Sequence, residues 1–67
     1  MNIELILEIT WNICKEFSIQ YSTRDKTRLI NFVSIELEKK IGAENENLFR
    51  ENWINEVNLY SHKYGYS

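Results

Sequence analysis

Sixty-seven residues carrying ten acidic and eight basic side chains, for a formal net charge of −2, make one small domain. A single cysteine excludes an internal disulfide, and Cys14 and His62 are the only soft or imidazole ligands, too few for a structural metal site. Charge this balanced argues against a nucleic-acid-binding footprint and equally against an acidic mimic of nucleic acid, while 43% hydrophobic and 13% aromatic residues argue against disorder.

Residues 2–17 admit two periods. Ile3, Leu5, Leu7, Ile9, Trp11 and Ile13 alternate as in a strand. At about 100° per residue, however, Glu4, Glu8, Asn12 and Lys15 fall in one polar stripe, opposite Ile6, Ile9, Ile13, Cys14 and Phe17. Asn2 as N-cap and Glu4 in the first turn favour the helix, with an apolar face wide enough to be buried on more than one side. Glu4 and Glu8 also interrupt the first apolar run, and no basic segment precedes it. No signal peptide or membrane span is expected, and the setting is read as cytoplasmic.

Ser18 to Tyr21 then reads as a short connection in which Ile19 and Tyr21 pack inward. A second helix over 23–41 follows, capped by Ser22 with Asp25 three positions on, and stopped at Gly42. Its core stripe is Leu29, Ile30, Val33, Leu37 and Ile41; Phe32 and Ile35 lie outside it. A third helix over 46–63 presents Phe49, Trp53, Val57, Tyr60 and Tyr64, and Tyr66 beyond Gly65 has no periodic reason to be buried. The fold expected is all-α, a small three-helix up-down-up bundle. A chain this short buries only ~60% of its unfolded surface, so association as a dimer is the expected supplement to the core.

Chemistry finds little purchase. The chain has no Gly-rich phosphate loop, no Ser-centred elbow and no His–carboxylate set at ligand spacing. Cys14 falls on an apolar face, His62 on a polar one, and Glu4 with Glu8 on a solvated stripe. No enzymatic activity and no cofactor are expected.

The one local anomaly is Arg24, Lys26 and Arg28 at the start of the second helix, where the backbone already presents partial positive charge. Three readings fit it. The arginines pair with Glu16 or with acids of the third helix; or Arg24, Arg28, Phe32 and Ile35 form a partner-binding face, apolar and rimmed by arginine; or Arg24, Lys26 and Arg28 contact phosphate. The functional expectation is a small interaction or regulatory module, working as a homodimer or within a larger assembly. A nucleic-acid-associated regulator using the basic tip is the alternative.

Overall fold

A computed structural model describes residues 1–67 and contains only helices: α1 (Ile3–Gln20), α2 (Lys26–Ile41), α3 (Ala43–Leu48) and α4 (Arg50–Tyr64). The up-down-up course is visible in which side chains meet. Phe17 near the end of α1 lies against Phe32 in the first half of α2, while Ile9 and Ile13 share a groove with Lys40 at the end of α2. Trp11 meets Glu56 and Tyr60, and Ser18, further along α1, meets Tyr60 and Tyr66, so α1 and α4 run in the same direction.

The caps explain where the helices begin and end. Asn2 accepts from the Glu4 amide at 2.8 Å and starts α1, which does not stop at Phe17 but continues through Gln20 until Tyr21 turns extended. The cap of α2 is Asp25, not Ser22: its carboxylate accepts from the amides of Thr27 and Arg28 at 3.0 and 3.3 Å. A carboxylate facing an N-terminal dipole outcompetes a hydroxyl three residues upstream. Arg24 consequently sits in the connection, outside the helix.

The expected third helix is two. Gly42 ends α2 with φ 88° and ψ 152°, a conformation open essentially to glycine, and α3 begins immediately afterwards. Asn45, just before the start expected at residue 46, instead donates its side-chain amide to the Ile41 carbonyl and satisfies the end of α2. The chain then bends at Phe49 before α4. The bend lets the Trp53 indole N–H reach back to the Glu46 carbonyl at 3.1 Å. Glu46 itself is almost fully buried, accepting from Ser34 and, through both carboxylate oxygens at 2.9 Å, from Arg50. It ties α2, α3 and α4 together, a role that its place in an acidic run conceals.

One core results. Ile6, Ile13, Cys14 and Phe17 of α1 meet Leu29, Val33, Leu37 and Ile41 of α2 and Trp53, Val57 and Tyr60 of α4. Ile9, Ile30 and Phe49 pack against its edge, and Trp11 flanks it. Ile19 does not pack inward; it is 86% exposed. Because α1 continues past Phe17, a residue two positions on is rotated by about 200° onto the opposite side. The radius of gyration, 10.9 Å, matches the ~11 Å of a compact globule of this length.

Gly42 offers a direct test of this account. A Cβ there would meet nothing within 4 Å, so only the backbone conformation resists substitution. Gly42→Ala is expected to lower stability by about 1–3 kcal/mol in urea unfolding, and D-alanine at the same position to leave it nearly unchanged.

Candidate functional site

The end of the bundle where α1 stops, α2 starts and α4 stops carries the chain's densest chemistry. It begins with Gly65, whose left-handed conformation (φ 73°, ψ 31°) stops α4 while the Tyr66 amide bonds back to the Ser61 carbonyl at 2.9 Å. The turn sends Tyr66 and Ser67 across the α1–α2 connection. There the Ser67 amide donates to the Arg24 carbonyl at 2.9 Å and the Lys26 amide to the Ser67 carbonyl at 3.0 Å, flanking Asp25 as in a parallel strand pair. The Arg24 guanidinium closes the strap by donating to the Tyr64 carbonyl.

Beneath the strap lies a continuous run of rings: Trp11, Tyr64, Tyr60, Tyr66, Phe17, Tyr21 and Phe32, with successive centroids 4.5–6.5 Å apart. Ser18 bolts two of them in place. Its hydroxyl donates to the Cys14 carbonyl at 3.2 Å, so its two lone pairs accept from Tyr60 and Tyr66, each at 2.7 Å. Burial raises the Tyr60 hydroxyl above the ordinary tyrosine range, which keeps it protonated as a donor.

Three cations lie over these rings. Arg24 stands 5.6 Å from the Tyr66 centroid, Arg28 5.7 Å from Tyr21, and Lys63 5.8 Å from Trp11 and 5.6 Å from Tyr64. The two ion pairs of the structure, Lys39–Glu36 and Arg50–Glu46, lie at the other end. The arginines therefore do not pair with Glu16 or with acids of α4; aromatic faces hold them instead.

The residues singled out from the sequence are thus placed as follows. Arg24, Arg28 and Phe32 come together at this end, with Phe32 half-buried against Phe17 and Tyr21. Ile35, 57% exposed, lies on the outer side of α2 about two turns, or ~10 Å, beyond Arg28. Lys26 is half-buried beside Arg24 and makes no ion pair. Sequence reasoning missed Lys63, Trp11 and Ser18 at this end and found no periodic reason for Tyr66 to be buried. Only Gly65, as a left-handed stop that turns the chain back, hinted that Tyr66 would return to the core.

Elsewhere the molecule is plainer. A shallow groove of about 350 Å³ between α1 and α2 is lined by Ile9, Asn12, Ile13, Glu16 and Lys40, with no Cys, Ser, Thr or His among them. His62, Glu4 and Glu8 are exposed, and no cluster of His, Cys, Asp or Glu is arranged to hold a metal ion. No helix is long and apolar enough to cross a membrane. Compared with protein families, curated proteins and solved structures, the chain matches none.

Two predictions come from this geometry. Tyr66→Ala is expected to cost about 1–3 kcal/mol and to speed amide exchange at Lys26, whereas Tyr66→Phe, losing only the Ser18 bond, costs about 0.5–1.5 kcal/mol. Hydrogen exchange followed by mass spectrometry or NMR reads the difference. Second, burial, reinforced by the Glu56 carboxylate, pushes the Cys14 thiol from 9.0 up to about 12. Between those values the unfolded chain loses a proton that the native chain keeps, so stability falls as pH rises, by about 1.4 kcal/mol per unit. Urea unfolding from pH 7 to 10.5 should show this decline, with a shallower slope in Cys14→Ala. At neutral pH the native thiol should resist alkylation.

Proposed function

We propose that this chain is a small protein-interaction or regulatory module whose contact surface is its basic aromatic end. The observation that carries the reading is that Arg24 and Arg28 lack carboxylate partners and are held over Tyr66 and Tyr21. A guanidinium fixed on an aromatic face loses little further freedom on binding, and its charge remains free to meet an acid. Arginine and tyrosine are also the residue types that dominate interface energetics. Tyr21 and Tyr64 keep part of their rings exposed beside them, and Ile35 extends the surface along α2.

The charge at this end defines the partner. Arg24, Lys26, Arg28 and Lys63 stand against two side-chain carboxylates, Asp25, engaged as a helix cap, and Glu56, engaged with the Trp11 indole. An acidic protein surface with an apolar centre fits it best.

Capture from a lysate of the native cells, with the wild-type chain and an Arg24→Ala/Arg28→Ala variant side by side, tests the reading. The captured protein, once purified, should bind the variant about tenfold or more weakly and lose affinity for wild type as salt rises. Since Arg24 also fastens the tail, Arg28→Ala alone should show a smaller loss in the same direction. An oligonucleotide that binds at low salt and is released by the same substitutions would transfer the surface to nucleic acid instead.

A further inference from the structure

The net charge of −2 conceals a separation of charge along the bundle. At the end just described, Arg24, Lys26, Arg28 and Lys63 oppose the side chains of Asp25 and of Glu56, the latter bonded to the Trp11 indole, while Lys15 and Glu16, one turn further in, offset each other. At the opposite end, where α1 and α4 start and α2 meets α3, Glu4, Glu8, Glu38, Glu44 and Glu51 are all exposed, and the one unpaired cationic side chain among them is Lys40. The remaining charges there, Glu36 with Lys39 and Glu46 with Arg50, are already paired.

Both ends also expose apolar side chains within their charged rims. Leu5 and Leu48, 49% and 69% exposed, lie at the acidic end; Ile19, Tyr21 and Tyr64 lie at the basic one. Each end thus has an apolar part and an unneutralised rim, and the rims have opposite sign. The far end of another copy of the same chain therefore complements the basic end in sign and offers it apolar side chains.

We infer that the partner of the basic aromatic end is the acidic end of a second copy, in a head-to-tail contact. This rests on the reading of the basic end as a protein-binding surface. The two faces in such a contact are different, so it does not close on itself as a two-fold dimer does and instead propagates into short chains. Its strength is bounded by its size. The two shorter dimensions of the molecule, 19 and 16 Å, allow roughly 300–500 Å² per copy once side chains are included, against the ~800 Å² per partner of a stable interface. The contact is therefore weak, and it depends on concentration and salt.

Directional paramagnetic labelling tests this. A nitroxide on Asn47→Cys, at the acidic end, is placed on unlabelled protein and mixed with ¹⁵N-labelled wild type; the buried Cys14 does not take the label. At roughly 10 mM ionic strength, broadening is expected at Tyr21–Arg28 and Lys63–Ser67 of the ¹⁵N copy, and it should vanish at roughly 500 mM. Using Lys26→Glu/Arg28→Glu as the ¹⁵N copy should reduce the broadening about tenfold; acids in a first helical turn preserve the fold. Broadening at the acidic end, equal broadening of all exposed amides, or none at low salt overturns the inference. The protein-binding reading then still stands or falls on the capture experiment. Broadening that persists unchanged in the charge-reversed copy overturns the inference as well, and counts against the basic end as the contact surface.

Discussion

Phe17 is the side chain on which the basic end is assembled. Its ring is 2% exposed and lies within 4.9–6.2 Å, centroid to centroid, of Tyr21, Phe32 and Tyr66. Those rings come from the α1–α2 connection, from α2 and from the segment beyond α4. Three separate stretches of the chain therefore share one apolar anchor, and edge-on and tilted ring contacts, with the backbone bonds between Ser67 and Arg24 and Lys26, fix their mutual orientation. With the rings fixed, the cations above them are fixed too.

Position in the fold gives these cations their meaning. Arg50 resembles Arg24 and Arg28 in standing over an aromatic ring, that of Trp53, yet it also holds the buried carboxylate of Glu46. Its charge is spent internally. Arg24 and Arg28 have the ring and no acid, so the same geometry leaves them charged toward solvent. The proposal of an interaction surface turns on that contrast between two ends of one molecule. A count of basic residues would not reveal it, because the whole chain is slightly acidic.

Much of the core was legible before any coordinates. Leu29, Val33, Leu37 and Ile41, spaced by four, bury as a stripe, and Trp53, Val57 and Tyr60 do so in α4. Helical periodicity reports a face directly, and a side chain's burial follows from the face it occupies. The interruptions were harder. Asp25 prevailed over Ser22 as a cap, and Asn45 served the end of one helix and not the start of the next. Caps are settled by competition among nearby polar groups for the same few amides and carbonyls, and the sequence offers several candidates for each.

Local pattern thus determined the class of fold, the core-facing stripes and the burial of Cys14, since each depends on residues within a turn or two of one another. Long-range placement decided the rest. Tyr66 reaches Ser18 across 48 positions of sequence and Trp11 reaches Glu56 across 45, and no periodicity encodes such meetings. The arginines' choice of aromatic faces over carboxylates, and the parting of basic from acidic ends, likewise required three helices to be set side by side. Charge is a property of residues, but which charges remain unpaired is a property of the packed chain.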